Sequence, residues 1–244
     1  MKPLKPSIAP EIALLAPGFR AISIQVIAAP LADSDAGRRA LEAACRHVQT
    51  ADFPWAQAHL EAWDSVFQAF GAKPKRTPCS AQALRKRVAR DGNLPSIDPV
   101  VDLYNAVSIK YAVPVGGENR DAYQGDPRLV IADGSEAFDT LKEGQPVNDP
   151  PEPGEAVWRD DAGVTCRRWN WRQGVRTRLD SHAQAMWFIL ECLPPMPQDA
   201  ASAAAQELID GLTIMMPGAQ IVMETLQPGG ACTADLNGLT PDNA

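Results

Sequence analysis

The sequence predicts an α+β fold, with a central antiparallel or mixed sheet flanked by helices. Two kinds of segment lead to it: short stretches of alternating polarity, which read as half-buried strands, and longer stretches with apolar residues at three- and four-residue spacing, which read as amphipathic helices. Neither an internal repeat nor a low-complexity tract interrupts them. The 244 residues, 45% hydrophobic and 22% charged, fit one packed domain better than a fibrous or disordered chain. We expect that domain over residues 1–230, followed by a flexible tail, 231–244, rich in Gly, Pro, Asn and Asp.

After a lead-in broken by Pro3, Pro6 and Pro10, the segment Phe19 to Ile27 alternates as a strand, and Ala36 to Thr50 reads as a helix. Trp55, His59, Trp63, Val66, Phe67 and Phe70 then form an aromatic stripe on a second helix, which predicts core packing. A short, charge-rich helix follows from Ser80 to Arg90. Asp98 before Pro99 is a strong helix start, because the aspartate caps free amides and proline has none to satisfy. That helix should run to about Tyr111, with Val100, Leu103, Tyr104 and Val107 inward and Asn105 on another flank.

Pro114 to Asn119 reads as a turn-rich segment where Gly116 and Gly117 allow close approach of a ligand. Arg128 to Ala132 reads as a strand, and the proline-rich stretch from Gln145 to Gly154 as an ordered loop. Val164 to Trp171 alternates and is a candidate strand with two tryptophans on one face. Met186 to Leu193 is a buried strand interrupted by Glu191; Ala200 to Met216 reads as an alanine-rich helix and Gln220 to Thr225 as a closing strand.

No apolar run reaches the roughly 20 residues that span a bilayer, and no secretory leader is evident, so a cytoplasmic protein is expected. Cys45, Cys79, Cys166, Cys192 and Cys232 are scattered, without a CxxC or a Cys/His pairing at metal spacing, and read as reduced thiols. No metal ligand set, P-loop or GxGxxG is present, so no cofactor is expected. His47 and His59 fall on ordinary helices and His182 reads as a surface residue.

The formal net charge of -7 argues against a nucleic-acid partner only as a sum. From Lys73 to Arg90 there are seven basic residues and no acid, and from Arg167 to Arg178 five arginines and no acid. These thirty residues carry +12 and the rest of the chain -19. Interleaved arginine and tryptophan suit unpaired nucleic-acid ends, where rings stack on bases and guanidinium groups hold phosphate. Two solvated basic faces paired with the acid excess would give the same composition.

At these residues the chain resembles free-standing relatives of the B3/B4 domain, the tRNA-binding and editing module of the bacterial phenylalanyl-tRNA synthetase beta subunit. The blocks are KRTPCSAQAL (Lys75 to Leu84), LPSIDPVVDLYNAVSIKYAVPVGGEN (Leu94 to Asn119), EPGEAVWRDDAGVTCRRWNWRQG (Glu152 to Gly174) and FILE (Phe188 to Glu191), in matching order over roughly residues 70 to 195. The resemblance implies an α+β domain that hydrolyses the ester of a mischarged aminoacyl-tRNA in trans, with the aminoacylated acceptor end of tRNA as partner and no DNA. It aligns Asn105 with the family's asparagine, Gly116 to Glu118 with the neighbourhood of a histidine absent here, and Glu191 with the glutamate that recognises a tyrosine hydroxyl. The family's threonine and alanine some twenty residues further on have no match.

The candidate site follows from both readings. Asn105, Gly116, Gly117 and Glu118 are the catalytic candidates, because an activated ester needs mainly an oriented water and donors for the oxyanion. Glu191, Asn105, Arg168 and Asn170 are candidates for substrate binding. Arg76, Arg85, Lys86, Arg167, Trp169, Trp171 and Arg172 are candidates for RNA binding. A carboxylate inside an apolar strand is costly unless paired or facing a ligand; the plain alternative is that Glu191 lies on an edge strand, facing water or paired with an arginine. Asn105 tethering its loop, and a tryptophan pair buried in the core, are the plain structural alternatives. The functional alternative is a module that binds RNA or an amino-acid-like ligand without hydrolysis.

Overall fold

The chain opens with β1 (Ser7–Ile8), α1 (Ile12–Leu15) and β2 (Arg20–Ile27), then four helices, α2 (Ala36–Thr50), α3 (Ala56–Ala69), α4 (Ser80–Asp91) and α5 (Pro99–Lys110). Strands β3 (Val115–Asn119), β4 (Arg128–Ile131), β5 (Asp139–Lys142), β6 (Gln145–Asn148), β7 (Ala156–Arg159), β8 (Val164–Arg167), β9 (Arg172–Gln173) and β10 (Ala185–Cys192) follow. Helix α6 (Gln198–Met215), β11 (Gln220–Gln227) and β12 (Gly230–Ala231) complete it. This is a computed structural model, which describes residues 3–231. The expected tail lies outside the described residues, apart from Ala231.

One five-stranded sheet has the order β12-β11-β2-β10-β3 and is antiparallel throughout. A second, β1-β4-β7-β8-β9, contains one parallel pair, β1 with β4, and β5 pairs with β6 in a separate hairpin. The architecture is α+β with antiparallel and mixed sheets. All eight residues of β10 are buried because both of its faces are covered. Met186, Phe188, Leu190 and Cys192 pack against α5 and α6, whose inward positions include Leu103, Val107, Leu208 and Leu212. Trp187 and Ile189 belong instead to an aromatic core with Phe19, Trp63, Trp158 and Trp169. Burial of such large apolar side chains stabilises the fold by about 1.5–3 kcal/mol each.

Helix α5 starts as its sequence dictates. Asp98 Oδ1 accepts from the Val100 amide at 2.9 Å and the Val101 amide at 3.4 Å, and its Oδ2 accepts from the Ser181 amide at 2.9 Å. The cap therefore also ties α5 to the loop before β10. Helix α2 crosses the start of α5 so closely that a Cβ on Gly37 would lie 1.8 Å from the Pro99 carbonyl oxygen.

Three segments differ from their expected form. Residues 115–119 are the edge strand β3, not a turn, because the two glycines pair with Phe188 and Ile189 of β10. The expected loop from residue 145 begins with β6. The strand expected over 164–171 stops at Arg167, because Arg168 and Trp169 take left-handed conformations, φ 47° and 65°, and turn the chain back into β9. Neither residue is glycine or asparagine, so nothing in the local sequence marks the turn. Strands β1, β5, β7, β9 and β12 and helix α1 are additional to the elements the sequence marks.

Candidate functional site

Strand alternation decides what faces the space between the two large sheets. On β10, Trp187, Ile189 and Glu191 share one face, and antiparallel pairing puts Glu118 opposite Trp187 and Gly116 opposite Ile189 on β3. From the other sheet come Trp158 of β7, Cys166 of β8, the turn residues Trp169, Asn170 and Trp171, and Gln173 of β9. Helix α4 contributes Ser80, Ala83 and Leu84, and α5 contributes Tyr104 and Asn105. Together they line a cavity of about 270 Å³.

Glu191 is 1% exposed. Its Oε1 accepts from Trp158 Nε1 at 2.7 Å and Trp169 Nε1 at 2.9 Å, and its Oε2 from Asn170 Nδ2 at 2.9 Å. Burial pushes its carboxyl up to about 7, against the pull of these three donors. Glu118 is also buried, and burial raises it to about 8 although Tyr123 Oη donates to it and Thr and Gln side chains and Arg176 act in the opposite sense. A carboxyl group that titrates near neutrality can both take and return a proton at physiological pH.

Asn105 lines the cavity with no hydrogen bond from its side chain among the described residues, so it does not tether the neighbouring loop. The Glu191 amide donates to Pro114 O at 3.0 Å. Ladder alternation from that bond directs the Gly116 and Glu118 amides toward β10 and the Gly117 amide to the opposite edge, where Gln173 Nε2 donates to Gly117 O at 2.8 Å and the Asn119 amide donates to Thr177 O at 2.9 Å. Gly117 is needed as glycine: a Cβ there would lie 2.8 Å from the Tyr104 ring.

The basic candidates divide. Arg167 is buried, donating from Nε and Nη2 to Glu155 at 3.1 and 2.6 Å and from Nη1 to Asp149 at 2.7 Å. Its guanidinium serves the fold, so the expectation that it meets RNA is corrected. Trp169 is fully buried, edge-on to Phe19 and Trp63, and walls the cavity where a stacking surface was expected. Arg85 donates to Ile109 O at 2.9 Å and pairs with Asp52, bracing α4. Lys86 is exposed. Arg76 and Arg168, with Lys73 and Thr77, line a separate hollow of about 260 Å³. Arg168 therefore does not line the cavity that holds Glu191. Arg168 and Arg172 both lie over the Trp171 ring, at 4.7 and 4.5 Å from its centroid.

The two hollows share their supports. Thr77 in the basic hollow and Ser80 in the cavity are three residues apart, about 10 Å of extended chain at most. Arg168 and Trp169 are adjacent, and their left-handed backbone sends one side chain to each.

His59 is buried, with Nδ1 2.9 Å from Ala112 O and Nε2 accepting from the Leu193 amide at 3.0 Å, and burial lowers it to about 4. It ties α3 to the end of β10. Cys45, Cys79, Cys166 and Cys192 are unpaired. Among the described residues no group of His, Cys, Asp and Glu is arranged for a metal, and no helix is long and apolar enough to cross a membrane. Ser80, Tyr104 and Trp158 are cavity residues that the sequence does not mark as such; the short apolar run of Ala156, Val157 and Trp158 is the signal for a buried strand there.

An α+β domain with an aromatic and acidic cavity beside a basic hollow is the class these features define. A family model, the B3/4 domain, matches residues 62–206, and the chain belongs to that family. The chain is also similar to an N-terminal fragment of the phenylalanyl-tRNA synthetase beta-subunit from Pyrococcus horikoshii, at 10% identity with a TM-score of 0.47. The match covers 91% of this chain and 51% of that one, so the chain spans about half its length. No curated protein matches the sequence.

Proposed function

We propose that this protein binds the aminoacylated acceptor end of a tRNA and hydrolyses its ester in trans, as a cytoplasmic editing deacylase. The observation that carries the reading is the convergence of Asn105, Gly116, Gly117, Glu118, Asn170 and Glu191 on one cavity beside the hollow of Lys73, Arg76 and Arg168. Membership of the B3/4 family supports a tRNA partner, and four unpaired cysteines support a reducing compartment. The basic hollow would hold terminal phosphates while the aminoacyl group enters the cavity.

An aminoacyl ester is already activated, so the protein's task is to position it. Asn105, with Gly117 as a second candidate, would orient water or hold the developing oxyanion. Glu118 takes the proton of the attacking water and returns it to the departing ribose oxygen. Binding without hydrolysis is the second reading, favoured by a specific observation: among the described residues no imidazole lines the cavity. Incubation with tRNAs charged with different amino acids separates the two. Accelerated ester loss from at least one supports the deacylase, whereas bound tRNA with undiminished ester supports the binding module.

A further inference from the structure

The cavity has a charge character that the hydrolytic reading does not use. Two carboxylates, Glu118 and Glu191, line it, and no lysine, arginine or histidine among the described residues does. Glu191 lies four positions along β10 from Trp187, the partner of Glu118. That is about 13 Å of strand, so the two acids are placed as separate anchors and not as a dyad sharing one proton.

Hydrogen-bond accounting at Glu191 leaves acceptors over. An ionised carboxylate offers about four lone-pair positions. Trp158 and Trp169 fill those of Oε1, and Asn170 fills one on Oε2. Because the Asn170 Nδ2 group must face the carboxylate, its Oδ1 points elsewhere. Asn170 is 8% exposed, and this Oδ1 is buried without a partner. The free lone pair of Oε2 and the orphan oxygen of Asn170 are thus two acceptors on one short side chain pair, within aromatic walls. A neutral hydroxyl has one proton and satisfies one of them; an ammonium has three, and carboxylate and tryptophan faces both attract its charge. Burial lifts Glu118 to about 8 and Glu191 to about 7, so each acid gains from a cation beside it.

We propose that the Glu191–Asn170 end of the cavity receives an ammonium group, which makes the substrate class an amino acid with a basic side chain. The inference rests on the cavity being the aminoacyl site and names what enters it.

Calorimetric titration of the full chain with L-lysinamide, 6-hydroxy-L-norleucinamide and L-2-aminoheptanamide tests it. The three probes carry ammonium, hydroxyl and methyl at the same place and share the α-ammonium. Lysinamide is expected to bind about tenfold tighter than either analogue, the strength of one charged hydrogen bond. Glu191→Gln should erase that preference, and Asn170→Ala, which keeps the carboxylate, should reduce it. Equal or tighter binding of the hydroxyl or methyl probe overturns the proposal, as does failure of all three to bind at about 10 mM, a concentration above any specific affinity. No ester is involved, so hydrolysis can fail while the preference stands, and the preference can fail while deacylation of other aminoacyl-tRNAs stands.

Discussion

The two acid-free basic runs look alike in sequence and behave differently in the fold. In the run from Lys73 to Arg90, Lys73, Lys75, Arg76, Lys86 and Arg87 are exposed, and only Arg85 and Arg90 have acid partners. In the run from Arg167 to Arg178, Arg167 and Arg176 are tied to Glu155, Asp149 and Asp160, all acids that precede the run. The first run is a surface available to a phosphate chain; the second is largely a brace that fixes the turn carrying Trp169 and Asn170. A count of charges along a sequence does not separate the two, because a buried pair and a solvated cation contribute equally to the sum.

The largest effect should come from breaking the brace. Arg167→Ala takes both guanidinium hydrogen bonds from buried Glu155 and leaves it the Glu152 amide and the more distant Arg168 at 3.8 Å, which costs about 3 kcal/mol; urea unfolding should show that loss, and a change below about 1 kcal/mol would place Arg167 with the surface residues. The surface run should show the opposite profile. Replacing Lys73, Arg76 and Lys86 together by alanine should lower the salt slope of tRNA binding by about 2, at about 0.7 per phosphate contact on a single strand. Each substitution should leave stability within about 0.5 kcal/mol. An unchanged slope would remove this run from the interface.

A gentler contrast comes from pH, since Trp169 and Asn170 in the second run hold Glu191. Glu118 and Glu191 titrate higher in the folded protein than in the unfolded chain, at about 8 and about 7. The folded state therefore binds more protons, and the stability these groups contribute is full below the unfolded value and is lost as pH rises through 7 and 8. The slope is at most about 1.4 kcal/mol per pH unit for each acid. Glu118→Gln should remove its share of that slope when unfolding is followed from pH 5 to 9, a range of about four units spanning both groups.

The smallest effect concerns the turn itself. Glycine relieves the left-handed backbone at position 168, so Arg168→Gly should be more stable than Arg168→Ala by up to about 1 kcal/mol. Both variants should weaken tRNA binding alike.

Much of the site was legible because its signals are local. Glu191 stands out as a charge inside an apolar strand, Asp98 with Pro99 announces α5, and Asn105 and the Gly116–Gly117 pair sit in a block that resembles the B3/B4 domain. What remained hidden depends on distant residues. The glycines signal a turn, but pairing with β10 makes them a strand. The alternation of Val164 to Trp171 reads as one strand because Trp169 and Asn170 are buried by the cavity, not by a continuing ladder. Arg167 reads as a phosphate ligand until Glu155 and Asp149 fold against it.

The central claim is that this cavity is an aminoacyl-ester site. Single-turnover decay of a panel of aminoacyl-tRNAs, with the protein in excess, tests it most directly. The account predicts that at least one ester is lost well above its spontaneous rate, and that Asn105→Ala slows this loss by about tenfold or more, the range expected for one lost positioning or oxyanion contact. Decay of every aminoacyl-tRNA at the rate seen in buffer alone would contradict it.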